Sequence, residues 1–145
     1  MKAKPTLLLT LTALLLLGAC GAPAAEAPVA DVAQAITINA DEFVSMLPND
    51  NLTIVDVRTT QELQETGIIA GAIHIPLDQL ASHLDQLPGK DSQILVYCRT
   101  GNRSSQAQEL LIDAGYSDVL NLAGGIGGWT GAGEQLIPAT QFFTP

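Results

Sequence analysis

Ile94-Leu95-Val96-Tyr97-Cys98-Arg99-Thr100-Gly101-Asn102-Arg103-Ser104-Ser105 is the stretch that decides the fold. Its first four residues form an unbroken apolar run, which reads as a buried strand over residues 94–97. Beyond it, residues 104–114 place Ala107, Leu110, Leu111 and Ala114 on one helical face, and Gly115 supplies the stop. A buried strand that passes through a short turn into an amphipathic helix is half of a crossover unit. Only parallel strands need such crossovers, so the stretch points to a parallel sheet.

The alternation continues on both sides. Upstream, Asn39 is placed to cap a helix over residues 40–47, which Pro48 ends. Thr53-Ile54-Val55-Asp56-Val57 is a β-branched run and reads as a second buried strand. Residues 61–65 read as a short polar helix, and residues 72–75 as a short strand stopped by Pro76. Apolar residues at 77, 80, 81, 84 and 87 predict one helix over residues 77–87, ended by Pro88-Gly89. Downstream, residues 119–122 read as a strand, followed by glycines. The expectation is an α/β domain over residues 36–145, with a parallel β-sheet flanked by helices on both faces. In such sheets ligands bind outside the carboxyl ends of the strands, and Cys98 stands at that end of the strand over residues 94–97.

The loop that follows carries the chemistry. The spacing predicts a six-residue turn from Cys98 to Arg103 with a helix beginning near Ser104. A sulfur there faces unpaired backbone N–H groups and the positive end of the helix dipole. Gly101 permits the backbone twist that turns several N–H groups toward one anion, and Arg99 and Arg103 add positive charge. All these effects favour thiolate over thiol, and the thiolate is the nucleophile. Cys98 alone would read as a buried space-filler. Arg99, Gly101, Arg103 and Ser104 at these spacings make it a candidate nucleophile.

Cys98-Arg99-Thr100-Gly101-Asn102-Arg103-Ser104 resembles the rhodanese active loop, Cys-Arg-x-Gly-x-Arg-Ser. The resemblance runs over residues 36–133. Asp56-Val57-Arg58 resembles the family's Asp-Val-Arg signature. Gly67 through Gly71-Ala72-Ile73-His74-Ile75-Pro76 resembles its Gly-His-Ile-x-Gly-Ala-x-x-Ile-Pro motif, and Gly124-Gly125 with Trp129 and Gly133 resembles its C-terminal glycine-tryptophan pattern. Ile68 departs from the usual His, Gln135 stands near the usual Pro, and Gly127-Gly128 weaken the last helix.

The resemblance implies a rhodanese-like fold and a sulfurtransferase. Cys98 would take sulfane sulfur from thiosulfate or a similar donor as a persulfide, then pass it to a thiol or cyanide. Arg99 would contact an anionic donor. Arg103 has two readings, substrate contact or an inward role fixing the loop against an acidic residue. Thr100 and Asn102 would line the mouth. Asp56 and Arg58 read as residues that hold loops together, His74 as a hydrogen-bonded edge residue, His83 as an exposed helix position, and Trp129 as a core or lid aromatic. A cysteine phosphatase, the rival on the same fold, places five residues between Cys and Arg. Here four separate Cys98 from Arg103, a loop sized for one sulfur. A carrier domain that hands its sulfur only to a protein partner is the second alternative.

The N-terminus adds an address. Lys2 and Lys4 precede an apolar core from Leu7 to Leu17, too short for a spanning helix of about 20 residues. Leu17-Gly18-Ala19-Cys20 resembles a lipobox, the bacterial lipoprotein cleavage signal. The expectation is a signal peptide over residues 1–19, lipidation at Cys20, and a tether over residues 20–35 rich in Ala and Pro. Such a protein is extracytoplasmic and membrane-anchored, and by the same resemblance Gly21 after Cys20 favours the outer membrane in enterobacteria-like envelopes, with the cell surface as the alternative. Removing the leader leaves Arg58, Lys90, Arg99 and Arg103 as the basic residues against 15 acidic ones. That balance disfavours nucleic acid and anionic lipid surfaces. No metal-ligand cluster and no dinucleotide or phosphate-loop motif is visible, so no cofactor is expected. The expected partners are small sulfur donors and thiol acceptors, with an extracytoplasmic redox protein as a further candidate.

Overall fold

The computed structural model describes residues 35–142. The expected signal peptide, Cys20 and all but the last residue of the tether lie outside the described residues. The described chain runs β1 (Ile36–Ile38), α1 (Ala40–Met46), β2 (Leu52–Asp56), α2 (Thr60–Thr66), β3 (Ile73–His74) and α3 (Leu77–Leu80). A 3-10 turn (Leu84–Gln86) then leads to β4 (Gln93–Tyr97), α4 (Asn102–Asp113), β5 (Asp118–Leu122), α5 (Gly125–Gly131) and α6 (Ala139–Phe142).

The five strands form one sheet in the order β1-β5-β4-β2-β3, and every pairing is parallel. Residue alternation along the strands builds a core on each face. Ile54, Leu95, Tyr97, Leu120 and Leu122 point to one side, where Phe43 of α1, Leu63 of α2, and Ile126 and Trp129 of α5 cover them. Val55, Ile94, Val96 and Val119 point to the other, against Leu80 of α3 and Ala107 and Leu111 of α4. The α/β architecture with both faces covered is the one expected. The chain leaves β2 toward β3 on one side and β4 toward β5 on the other, so the crossover direction reverses between β2 and β4. That reversal opens a crevice at the carboxyl ends of these two strands.

Two helix starts, those of α1 and α2, follow capping chemistry. Asn39 Oδ1 accepts from the Glu42 N–H at 2.9 Å, while Glu42 Oε2 accepts from the Asn39 N–H at 2.8 Å. Thr59 and Glu62 make the same reciprocal box at the start of α2.

Four local differences from the sequence expectation have physical causes. The helix expected over residues 77–87 breaks after Leu80. His83 Nδ1 bonds the Gln79 carbonyl at 2.9 Å, the acceptor an α-helix would offer the His83 N–H, which instead reaches Leu80 at 3.1 Å. His83 is thus a half-buried residue at the start of the 3-10 turn, not an exposed helix position. α4 begins at Asn102 rather than near Ser104, because Gly101 closes the turn at φ 102° and its carbonyl already accepts from the Ser105 N–H at 3.0 Å. β1 has too few residues to stand out in the sequence. Buried Gln108 of α4 clamps it by donating to the Ile36 carbonyl at 2.8 Å and the Val119 carbonyl at 2.7 Å. α5 forms despite its glycines because close packing needs them: a Cβ on Gly128 would lie 2.4 Å from the Ala123 carbonyl oxygen.

Candidate active site

β4 ends at Tyr97 and delivers Cys98 to the crevice as a free, buried thiol. Its Sγ accepts from the Gly101 N–H at 3.1 Å and from Ser104 Oγ at 3.4 Å. Ser104 is fully buried, and its single hydroxyl proton is shared between the Cys98 sulfur and the Gly101 carbonyl at 3.0 Å. Burial is the largest single influence on the thiol and pushes its pKa up. The Ser104 hydroxyl and the backbone N–H groups of Ser104, Thr100 and Gly101 together outweigh it, so the pKa lies below the ordinary value. The loop therefore favours thiolate through fixed dipoles at a helix start.

The sequence assigned part of that task to arginine charge, and the Arg103 guanidinium does interact with the Cys98 thiolate, although its first partner is Glu62. Arg103 donates from Nη1 and Nη2 to the two carboxylate oxygens of Glu62, both at 2.7 Å. Its charge is thus largely spent on α2, in the inward arrangement against an acidic residue that was one of its two readings. Glu62 also accepts from the Thr59 N–H and hydroxyl at 3.2 and 3.1 Å. The Arg103 guanidinium is the main reason that the Glu62 pKa falls to about 2, against an opposing push from burial. Glu62 was not among the sequence candidates. It lies 41 residues from Arg103, and its only local signal is the capping spacing from Thr59.

Asp56 and Arg58, at the end of β2, form a buried ion pair at 2.6 Å. Arg58 also donates to Thr66 Oγ1 at 2.7 Å and to the Gly67 carbonyl at 2.6 Å, tying the C-terminal end of α2 to the end of β2. Its guanidinium sits 5.8 Å from the centre of the Tyr97 ring, and the Tyr97 hydroxyl accepts from the Ile69 N–H at 3.1 Å. His74 Nε2 lies 2.8 Å from the Arg58 carbonyl. Trp129 is buried, with its ring centre 5.0 Å from that of Phe43, and its Nε1 donates to the Gln135 carbonyl at 3.0 Å. Ile68, in place of the usual His, is fully buried and exchanges two backbone hydrogen bonds with Ile137.

The loop is backed by the start of α5. The Ile126 N–H donates to the Cys98 carbonyl at 2.9 Å and the Gly127 N–H to the Arg99 carbonyl at 3.3 Å. A Cβ on Gly125 would sit 2.3 Å from the Cys98 carbonyl oxygen and 2.7 Å from the Arg99 carbonyl carbon. Only a glycine lets α5 approach so closely. A cleft of about 380 Å³ opens beside the loop, lined by Arg58, Glu62, Glu65 and Thr66 around α2, by Arg99 and Thr100, and by apolar residues including Ile126 and Leu136. Thr100 lines this cleft. Asn102 does not line it, because it is already the exposed first residue of α4. Among the described residues no group of His, Cys, Asp and Glu is arranged to hold a metal ion.

The chain is similar to known proteins in sequence and in fold. The chain is 36% identical over 88 residues to a sulfurtransferase of Allochromatium vinosum, an alignment covering 61% of this chain and 80% of that one. It is 30% identical over 111 residues to the human thiosulfate:glutathione sulfurtransferase, covering 68% of this chain and 96% of that one. The solved structure of a rhodanese-related protein from Thermoplasma volcanium superposes with a TM-score of 0.63 at 32% identity, covering 70% of this chain and 97% of that one. The profile of the rhodanese-like domain matches residues 39–132, well over half of the chain, and the chain belongs to that family.

Proposed function

We propose that the chain is a sulfurtransferase that moves sulfane sulfur from thiosulfate or a similar donor to a thiol or cyanide through a persulfide on Cys98. The observation that carries this reading is the cradle around Sγ, made of the Gly101 N–H at 3.1 Å and the Ser104 hydroxyl at 3.4 Å. In the first half-reaction the thiolate attacks the outer sulfur of the donor. The S–S bond of thiosulfate breaks, sulfite leaves with the electron pair, and Cys98 carries the sulfur. The terminal sulfur is anionic, and donors already pointing at the loop centre stabilise it without reorganisation. Arg99 is the residue we assign to the anionic donor. Thr100 lines its path, and Gly101, Asn102, Arg103 and Ser104 hold the loop in shape. Asp56 and Arg58 support the loop from the sheet edge.

Steady-state sulfur transfer from thiosulfate to cyanide tests the reading. The wild-type chain turns over, and Cys98→Ser abolishes turnover. Residual activity in that variant would remove Cys98 from the mechanism. A persulfide that forms but passes to no small acceptor would favour a carrier that serves a protein partner.

We further propose that the domain works outside the cytoplasm, tethered through lipid on Cys20. Leu17-Gly18-Ala19-Cys20 after a short apolar core supports this. Two or three acyl chains hold a protein at a membrane where one does not. In cells, Cys20→Ala should leave the chain unprocessed or release it from the membrane fraction. Normal processing and unchanged membrane association would remove the lipid anchor from the account.

A further inference from the structure

The four basic residues of the described chain do not serve the site equally. Arg58 is paired with Asp56 in the interior, Arg103 is bound by Glu62, and Lys90 donates to the Ala114 carbonyl at the far end of α4. Arg99 is exposed, has no ion-pair partner among the described residues, and lines the cleft from the loop that follows Cys98. The acids of the cleft are equally uneven. The Glu62 charge is matched by Arg103. Glu65, three residues on in α2, lines the same cleft, and among the described residues its carboxylate meets only a neutral donor, Gln61 Nε2 at 2.9 Å. The cleft thus holds one uncommitted cation on the active loop and one uncommitted anion on α2, with Ile126 and Leu136 as apolar lining. Its volume of about 380 Å³ suits a small organic molecule.

We propose that this cleft is the acceptor site and that it selects thiols bearing an ammonium group, with Glu65 binding the ammonium and Arg99 drawing the sulfur end toward Cys98. The proposal rests on the sulfurtransferase reading. The thiol gives its proton to the terminal persulfide sulfur, and the resulting thiolate attacks that sulfur. The new S–S bond forms as the bond to Cys98 breaks, and the electron pair returns to Sγ. The products are a hydropersulfide and the Cys98 thiolate, so atoms and charge balance. Arg99 alone would favour any anionic thiol. Glu65 repels one with a carboxylate tail and attracts one with an ammonium tail, and that difference is what the pair of opposite charges adds.

The test compares kcat/KM for three acceptors with thiosulfate as donor: cysteamine (ammonium), 2-mercaptoethanol (neutral reference) and 3-mercaptopropionate (carboxylate). Each is measured with the wild-type chain, Glu65→Gln and Glu65→Lys. Intrinsic thiol reactivity cancels when one thiol is compared between two proteins. In Glu65→Gln the cysteamine-to-mercaptoethanol ratio should fall about threefold and the mercaptopropionate ratio should rise by a similar factor, the scale of a solvent-exposed charge contact. Glu65→Lys should enlarge both changes, and added salt should compress them. Ratios that stay constant across the three proteins would overturn the proposal. Wild-type turnover with cyanide in the same preparation separates the two levels. Its absence would sink the sulfurtransferase reading itself, whereas cyanide turnover with constant thiol ratios would sink only the acceptor assignment.

Discussion

At the scale of single residues, the ionisation of Cys98 is governed mainly by burial and by the hydrogen-bond donors around its sulfur. Burial opposes ionisation, and a hydroxyl and three backbone N–H groups overcome it. Ser104→Ala removes the one contributor that is a side chain and leaves the Gly101 N–H in place. The iodoacetamide reactivity of Cys98 should then titrate with its midpoint at higher pH. The rate at neutral pH should fall about twofold to tenfold, the worth of one net hydrogen bond. An unchanged profile would mean the backbone alone sets the thiolate. The candidate residues of this loop were legible in the sequence because a strand end, a glycine turn and a helix start are local events. The partner of Arg103 was not, because α2 and α4 lie on opposite faces of the sheet and Glu62 meets Arg103 only across the carboxyl ends of the strands.

Among the secondary-structure elements, the start of α5 acts as a plate behind the active loop. Its N–H groups bind the Cys98 and Arg99 carbonyls, and Gly125 makes the approach possible at φ 55°. Gly125→Ala should push the loop away or unseat α5. We expect a loss of about 1 to 3 kcal/mol in urea unfolding, typical of overpacking, and a larger proportional loss of sulfur transfer than of stability. Wild-type activity in a stable Gly125→Ala variant would show that the loop does not depend on this contact. The sequence matched the family's glycine pair but could not say what it touched, since that contact joins residues that follow different strands. The same limit explains the other misses. Apolar spacing over residues 77–87 suited a helix, and only the His83 ring bond to Gln79 shows where it stops. β1 is held by Gln108 from a helix 72 residues away in sequence. The long alternating elements read correctly because their periodicity carries its own burial pattern.

For the whole molecule, the bridge between Glu62 and Arg103 links stability to pH. The folded pKa of Glu62, about 2, lies below its ordinary value of 4.5. The stabilisation is therefore fully present above that ordinary value and is lost as pH falls toward 2. Glu62→Gln keeps hydrogen-bonding capacity but does not titrate. At pH 7 the variant should be less stable by about 1 kcal/mol, discounted for the partial exposure of both side chains. Urea unfolding at pH 7, 4 and 3 should show this gap narrowing as pH falls. A gap that is constant with pH would mean that Glu62 acts only as a helix cap.

The central claim is that Cys98 is the atom that carries sulfur, and intact-mass spectrometry of the purified chain after incubation with thiosulfate tests it most directly. The account predicts a gain of one sulfur atom, lost on addition of cyanide or dithiothreitol, and no gain in Cys98→Ser. A wild-type chain that gains no sulfur, or a Cys98→Ser chain that still gains it, would contradict the account.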